Sequence, residues 1–313
     1  MITERAINRL ANAYRGGGGA ARLAYLEHTQ EYFLKWMESE DLFAEAMGTA
    51  FKGGTAIRKF HLGHDGRFST DLDFAIRDKA LATHVLSALS KGFEYGGVRF
   101  ALEGKPVEVG GENHARWSAS VPAEPALGST IVAKLDFSEH GVWLPYEKRT
   151  RAAIQTIDAQ TLGFDPVCPP LVDIRENLSE KLARFRRLPL ARDVYDLNHI
   201  GPSVRGEMAL IKQLLLMKVW IDVNDQARGD RPFLGAEEYC RVTADALRDK
   251  DDIGALAKPV KDWQGELQVL CGTYGRAIGK PAGAWEERLA ACDLKDRWWH
   301  TREVDTFVNA HAR

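Results

Sequence analysis

Two acidic residues stand one residue apart in the segment RFSTDLDF, and they are the strongest candidates for chemistry in this chain of 313 residues. The segment LDFAI alternates like a β-strand, in which residues i and i+2 point to the same face. Asp71 and Asp73 would therefore lie side by side, where two carboxylates repel unless a cation sits between them. Hard oxygen ligands of this kind suit Mg²⁺ or Mn²⁺. The alternative is a polar strand edge, with Asp71 capping a turn.

A glycine turn lies upstream in FKGGTAIRKF, where Thr55 stands 16 positions before Asp71. Glycines there let backbone N–H groups approach a triphosphate, and a helix beginning at the turn favours anions. The segment lacks the GxxxxGK[ST] pattern of a Walker A loop. A turn with a purely structural role is the alternative. The predicted nucleotide-binding residues are those of the turn and the polar side chains near it: Lys52, Gly53, Gly54, Thr55, Arg58, Arg67 and Ser69.

A third carboxylate, Asp136, falls inside the otherwise apolar strand pattern IVAKLDFS. An unpaired carboxylate in such a place is costly, so it needs a partner. Two partners fit the pattern. Asp136 either joins Asp71 and Asp73 as a metal ligand or pairs with Lys134, two residues earlier on the same strand face.

The elements that would position these residues change in type along the chain. A short amphipathic helix up to about Arg15 is broken by four glycines, and a second helix follows through ARLAYLEHTQEYFLKWMES. The strand patterns LDFAI, GVRFALE, RWSASV and STIVAKLDFS come next. Beyond the prolines at 169–170 the chain is mostly helical. We therefore predict an α+β fold, with one domain over 1–167 and a helical domain over 168–313.

Composition sets further bounds. The formal net charge of -2 gives no general attraction to nucleic acid, and no apolar run approaches the ~20 residues of a membrane helix. The N-terminus has no apolar stretch typical of a secretory signal. The four widely spaced cysteines argue against a zinc site and against a disulfide framework. We therefore expect reduced, buried thiols in a cytoplasmic protein that does not bind membranes and is a monomer.

The pairing of KGGTAIRKF with RFSTDLDF strongly resembles the signature of the AbiEii/AbiGii family of nucleotidyltransferase toxins, which includes the MenT-type toxins. ENLSEKLARFRR and ARDVYDL resemble the third and fourth motifs of that family, so the likeness spans about residues 40 to 200. The resemblance implies a DNA polymerase β-like fold, an NTP substrate and the antitoxin partner of a type IV toxin–antitoxin system. It also implies transfer of a nucleotide to an RNA 3′ end, as in relatives that modify the tRNA acceptor end and block aminoacylation.

The same resemblance implies that Lys181 contacts the nucleotide phosphates and that Asp193 completes the catalytic site. By its sequence context alone, Lys181 adjoins an apolar helix face and would be a solvated charge. Asp193 could orient Lys181, could act as a general base, or could be an acid that favours a helix start. Asp196 is expected to be structural, paired with Arg192 four residues earlier.

A basic segment gives the best local site for a phosphate backbone. It has six basic residues against Glu176 and Glu180, a local excess of four, and Lys148, Arg149 and Arg151 would extend it. The six are Arg175, Lys181, Arg184, Arg186, Arg187 and Arg192.

Two other functions use the same residues. Nucleotidyl transfer could be to a protein side chain, on the antitoxin or on the chain itself. The chain could also be a non-catalytic module that binds nucleotide or RNA. Intact carboxylates at Asp71, Asp73 and Asp193 argue against that reading, because a site that drifts out of use tends to lose them.

Overall fold

The computed structural model describes residues 2–13, 20–109, 112–128, 130–139, 141–148, 162–224, 235–250, 259–291 and 297–311. The chain divides into two compact units. The first contains Met1–His140 and Tyr146–Leu171, and the second contains Gly141–Pro145 and most of the chain from Val172 onward. The glycine run at 16–19 and the residues Arg149 and Arg151 lie outside the described residues.

A mixed sheet of seven strands forms the first unit. The strand order is β1-β2-β7-β6-β4-β3, and β5 pairs with β6. The pair β2 and β7 is parallel, and the other pairs are antiparallel. The strands are β1 Thr49–Lys52, β2 Leu72–Ile76, β3 Phe93–Tyr95, β4 Val98–Leu102, β5 Val107–Val109, β6 Glu112–Ser120 and β7 Ile131–Ser138.

One face of this sheet carries an aromatic core. Phe51, Phe74 and Phe137 lie opposite one another on β1, β2 and β7. The ring of Phe74 lies 5.2 Å from that of Phe51 and 5.7 Å from that of Phe137. Phe33 packs on the same face, 5.4 Å from the ring of Trp117. Because side chains alternate along a strand, the opposite face is left for the polar residues of β1, β2, β7 and β6.

Four α-helices accompany the sheet among the described residues of the first unit: α1 Glu4–Ala13, α2 Ala20–Ser39, α3 Gly53–Ile57 and α4 Lys79–Lys91. The helix α3 continues as a π-helical turn over Arg58–Leu62. The helix α4 begins at the cap Asp78, whose side chain accepts a hydrogen bond from the backbone N–H of Ala80.

The helix α2 is buried on its charged side as well as its apolar side, which its sequence did not indicate. Glu27 and Glu31 are both buried, and cations from the π-helical turn neutralise them. Lys59 Nζ lies 2.6 Å from Glu31 Oε1 and 3.4 Å from Glu27 Oε1. Arg58 Nη2 lies 3.4 Å from Glu27 Oε2. This cluster ties α2 to the segment that follows the glycine turn.

A buried histidine in α2 gives the first unit a dependence on pH. Neither ring nitrogen of His28 has a hydrogen-bond partner, and burial, opposed by Glu27 and Glu31, lowers its pKa from 6.5 to about 4. In the unfolded chain His28 therefore binds a proton near pH 6.5, whereas in the native chain it binds the proton only near pH 4. The stability that His28 contributes is complete above pH 6.5 and falls by about 3 kcal/mol as the pH drops to 4.

We expect His28→Leu to remove this part of the pH dependence, measured as the free energy of unfolding in urea between pH 4 and pH 7. The exposed histidine of the same unit, His84, provides the control, and His84→Leu should change the slope less than His28→Leu does. Equal slopes for His28→Leu and the unmodified chain would contradict the assignment.

All the regular secondary structure described for the second unit is helical. Its α-helices are α5 Ile174–Arg187, α6 Ala191–Ile200, α7 Met208–Asn224, α8 Ala236–Cys240, α9 Trp263–Tyr274, α10 Gly283–Ala291 and α11 Arg297–His311. The prediction of an α+β fold with a helical second part is confirmed. Of the helices the structure describes, none is long and apolar enough to cross a membrane.

Two sequence predictions about the cysteines are wrong. The cysteines were expected to be separate, but Cys240 and Cys271 form a disulfide with their Cα atoms 5.8 Å apart. They are 31 residues apart, and only the packing of α8 and α9 brings them together. Cys168 is free and exposed rather than buried.

Candidate active site

A row of polar residues crosses four strands on the face opposite the aromatic core. Lys52 of β1 pairs with Asp73 of β2, Asp73 pairs with Asp136 of β7, and Asp136 pairs with His114 of β6. Cross-strand partners share a face, so the alternation that buries Phe74 brings these four side chains into one line. Asp71 immediately precedes β2.

The glycine turn lies directly against the acidic pair. Gly53 has φ +76°, and a Cβ atom added to it would fall 2.1 Å from Asp73 Oδ2. A Cβ atom on Gly54 would fall 2.5 Å from Arg67 Nη2 and 2.8 Å from Ser69 Oγ. Only glycine lets the backbone approach these side chains so closely. The structure therefore brings the turn together with Asp73, Arg67 and Ser69, residues that the sequence placed in one site.

The loop that leads into β2 is held at several points. Thr55 Oγ1 donates a hydrogen bond to the backbone oxygen of Asp71 at 2.6 Å. Gln30 Nε2 donates to the backbone oxygen of Thr70 at 3.0 Å. Arg58 Nη1 donates to the oxygen of Gly66 at 3.0 Å, and its guanidinium stacks 3.9 Å from the ring of Phe68.

Two residues predicted to bind nucleotide thus have other contacts. Arg58 is buried and paired with Glu27, so the positive charge expected to meet an anion is already neutralised. The hydroxyl of Thr55 is used to position the backbone of Asp71. Both residues shape the loop between the turn and the acidic pair.

Asp136 forms a contact that the sequence did not predict. Its Oδ1 lies 2.9 Å from His114 Nδ1 of the adjacent strand, whereas Lys134 is exposed. Within the parts of the chain that are described, no three His, Cys, Asp or Glu side chains are grouped as ligands of a metal ion. The donor set still fits Mg²⁺ or Mn²⁺, because such ions in nucleotide sites use one or two carboxylates and complete their shell with phosphates and water.

The second unit contains a buried network around the residues implied by the third and fourth motifs. Lys181 Nζ lies 3.1 Å from Asp193 Oδ1 and 2.9 Å from Asp196 Oδ2, and only 5% of the Lys181 side chain is exposed. Arg184 holds the same Asp193 in a fork, with Nε 2.8 Å from Oδ2 and Nη2 2.5 Å from Oδ1. The expected pairing of Asp196 with Arg192 is wrong, since Arg192 meets Asp249 at 3.6 Å.

The charge state of Asp193 follows from these contacts. Burial raises the pKa of Asp193, but Arg184 and then Lys181 more than offset it, so that the pKa lies well below its usual range. A carboxylate with so low a pKa is a weak proton acceptor, which disfavours the general-base alternative. The contacts favour the alternative in which Asp193 orients Lys181.

We expect Asp193→Asn to lower the free energy of unfolding by about 3–5 kcal/mol, because it leaves buried Lys181 with less compensating charge. Urea denaturation of the full chain measures this effect. The matched control is Glu237→Gln, which breaks an exposed ion pair with Arg241 in the same unit and should cost under about 1 kcal/mol. Equal losses for the two variants would show that the Asp193 network adds no stability.

The basic segment predicted to contact nucleic acid is neutralised. Each of its six basic residues forms an ion pair, with acids that the local charge count omitted. All of these acids lie outside the segment in sequence. The acids are Asp173, Asp193, Asp196, Asp222 and Asp249, with Glu207 at the edge of the set. The predicted local excess of positive charge is therefore wrong as an argument for phosphate binding.

Three residues of these clusters were missed in the sequence. Gln30 lies on a helix far from the acidic pair in sequence, and nothing in its local pattern indicates the contact. Arg184 was counted only as one charge of the basic segment, although its spacing of three from Lys181 places both on one helix face. His114 lies at i-2 before Arg116 in β6, and only the strand register reveals its contact with Asp136.

A glycine turn packed against an aspartate pair, on the polar face of a mixed sheet, defines the class of protein as a nucleotidyltransferase. The family model described as nucleotidyl transferase AbiEii toxin, type IV toxin–antitoxin system, matches residues 37–264, more than half of the chain. The chain belongs to this family, which confirms the resemblance found in the motifs. Membership implies an NTP substrate and an antitoxin partner.

A solved structure supports the same assignment. The chain is similar to MenT4, a nucleotidyltransferase toxin from Mycobacterium tuberculosis, with 29% sequence identity and a TM-score of 0.81. The match covers 100% of each chain. No curated protein sequence matches the chain.

Proposed function

We propose that the chain transfers a nucleoside monophosphate from an NTP to the 3′ hydroxyl of an RNA, at the acceptor end of a tRNA. The observation that supports transfer is the close approach of Gly53 to Asp73 Oδ2. This contact sets backbone N–H groups of a glycine turn, suited to phosphates, beside carboxylates suited to a cation. Blocking aminoacylation in the cytoplasm would make such an enzyme a toxin.

In this proposal the turn and its neighbours bind the triphosphate. Gly53 and Gly54 present backbone N–H groups, and Lys52, Arg67 and Ser69 add polar side chains. Asp71, Asp73 and Asp136 would hold Mg²⁺ or Mn²⁺, which when bound neutralises charge on the phosphates and on the leaving group. Lys181, oriented by Asp193, would contact the nucleotide phosphates, as the family motif implies.

The reaction is a displacement at the α-phosphorus. The hydroxyl oxygen of the acceptor forms a bond to that phosphorus while the bond to the oxygen that bridges to the β-phosphate breaks. Pyrophosphate leaves with the electron pair of the broken bond, and the hydroxyl proton passes to a carboxylate of the site or to solvent. The residues of the site contribute by positioning the two reactants and by offsetting the charge that develops on the phosphates in the transition state.

An anionic acceptor is supported by exposed cations on the polar sheet face. Arg116 of β6 and Lys134 of β7 are partners in register, two residues along from His114 and Asp136, and both are exposed. They could contact phosphates of an acceptor strand. Arg116 and Lys134 therefore offer an RNA the exposed positive charge that the neutralised basic segment lacks.

The test supplies the full chain with each of the four NTPs separately, radiolabelled at the α-phosphate, together with total tRNA. We expect label on RNA with at least one NTP and none on periodate-oxidised tRNA, which lacks the attacking hydroxyl. Label on protein would favour the alternative acceptor, a side chain of the antitoxin or of the chain itself. Absence of label on both RNA and protein would overturn transfer and favour a binding module.

A further inference from the structure

An imidazole lies beside the third carboxylate of the polar row. His114 and Asp136 are partners in register on β6 and β7, and His114 Nδ1 lies 2.9 Å from Asp136 Oδ1. An ionised carboxylate can only accept hydrogen bonds. The proton of this contact is therefore carried by Nδ1, which donates to Asp136.

The other ring nitrogen lies near a second carboxylate. Glu112 Oε2 lies 3.4 Å from His114 Nε2. Glu112 is itself held by Ser138, whose hydroxyl oxygen lies 3.3 Å from Oε1 and donates to it. The hydrogen bond at Nδ1 sets the orientation of the ring, with Nδ1 facing Asp136.

The place of Asp136 in the row explains why such a donor is needed. Asp136 pairs in register with Asp73, and neighbouring strands lie about 4.8 Å apart, so two carboxylates stand next to each other. Like charges in this position repel, so the orientation of the Asp136 carboxylate depends on its other contacts. The hydrogen bond from His114 engages one of its two oxygens and restricts the rotation of the carboxylate.

We propose that His114 is a positioning residue, which holds Asp136 in the orientation where that carboxylate joins Asp73 as a ligand of the divalent cation. The inference rests on the proposed function, because it assumes a cation at these carboxylates. Hydrogen-bond donors to a ligating carboxylate fix its orientation, and their loss typically weakens metal affinity about 10–100-fold.

The test measures Mn²⁺ affinity of the full chain by isothermal titration calorimetry at fixed pH, with no acceptor present and with a non-hydrolysable NTP. His114→Leu removes the donor and is expected to weaken Mn²⁺ binding at least about tenfold. His114→Asn keeps a short N–H donor and is expected to stay within about threefold of the unmodified chain, because its amide can replace Nδ1. Thermal unfolding checks that both variants fold.

A control variant and a double-mutant cycle separate the positioning of Asp136 from other effects of losing a histidine. The exposed fraction of the His84 side chain is 50%, close to the 43% of His114, and His84 also pairs with a carboxylate, Glu40. His84→Leu is therefore a matched loss of a histidine–carboxylate pair. It should leave Mn²⁺ affinity unchanged. In a chain that carries Asp136→Asn, His114→Leu should cause no further loss, since His114 acts through Asp136.

Several results would overturn the inference. They are unchanged Mn²⁺ affinity in His114→Leu, an undiminished effect of His114→Leu in the Asp136→Asn chain, or no Mn²⁺ binding by the unmodified chain. Failure of the proposed function looks different. If no acceptor is labelled but Mn²⁺ affinity still depends on His114 through Asp136, the transfer proposal fails and the positioning role stands.

Discussion

Replacing Asp73 by asparagine is expected to lower nucleotidyl transfer at least about a thousandfold, a loss of about 4 kcal/mol of transition-state stabilisation. The substitution keeps the size of the side chain and removes the negative charge. In the structure that charge lies against Gly53, between Lys52 and Asp136 in register. Asp71→Asn is expected to lower transfer in the same way, because Asp71 is the other member of the acidic pair.

The stability of Asp73→Asn should distinguish a catalytic carboxylate from a structural one. Asp73 lies in register between a cation, Lys52, and an anion, Asp136, so removing its charge loses one favourable interaction and relieves one repulsion, each worth about 0.2–1 kcal/mol. We therefore expect the free energy of unfolding to change by less than about 1 kcal/mol while activity is lost. A structural aspartate would show the opposite result, with lower stability and retained activity.

The control for this prediction is another acid of the same unit, Asp78. Its side chain caps α4, so Asp78→Ala should lower stability by up to about 2 kcal/mol and leave transfer intact. Transfer is measured as label added to tRNA per unit time with saturating NTP. More than a tenth of the normal rate in Asp73→Asn would exclude the pair as the metal-binding centre.

The parts of this site that could be predicted from the sequence are those set by local periodicity. The alternation of LDFAI gives β2 with its observed bounds, Leu72–Ile76, and so gives the face on which Asp73 lies. The helical spacing of apolar residues in the second half of the chain likewise predicts α5 and α6, which carry Lys181 and Asp193. In each case the pattern repeats within one element, so no distant contact is needed to recognise it.

The parts that could not be predicted depend on pairing between distant segments. Glu27 and Glu31 look like the solvated face of α2 until Lys59, 28 residues beyond Glu31, is placed against them. Arg186 looks like part of an open basic face until Asp222, 36 residues away, neutralises it. A local charge count cannot detect such pairs, which is why it overstated the positive charge of the basic segment.

The same limit applies to Asp136. The sequence offered a metal or Lys134 as its partner, because only residues on one strand can be compared without a register. The observed contact is with His114, on the neighbouring strand and 22 residues away. The register of β6 and β7 therefore carries information about the site that spacing along the chain does not.

Replacing Gly53 by alanine is expected to lower transfer at least about a hundredfold, by moving one carboxylate. An added Cβ atom would fall 2.1 Å from Asp73 Oδ2, well inside van der Waals contact. Either the Asp73 side chain or the turn must shift, and misplacement of about 1 Å can cost about a hundredfold in rate. The left-handed backbone of Gly53, at φ +76°, adds a separate cost in stability of roughly 1–2 kcal/mol.

A second glycine separates these two effects. Gly104, between β4 and β5, has the same φ of +76°, but a Cβ atom placed on it has no neighbour within 4 Å. Gly104→Ala should therefore lose roughly the same 1–2 kcal/mol of stability as any alanine in this conformation and keep its transfer rate. Urea denaturation and the labelling assay on both variants give the comparison. If Gly53→Ala loses no more activity than Gly104→Ala, the close approach of the turn to Asp73 is a feature of the fold and not of the reaction.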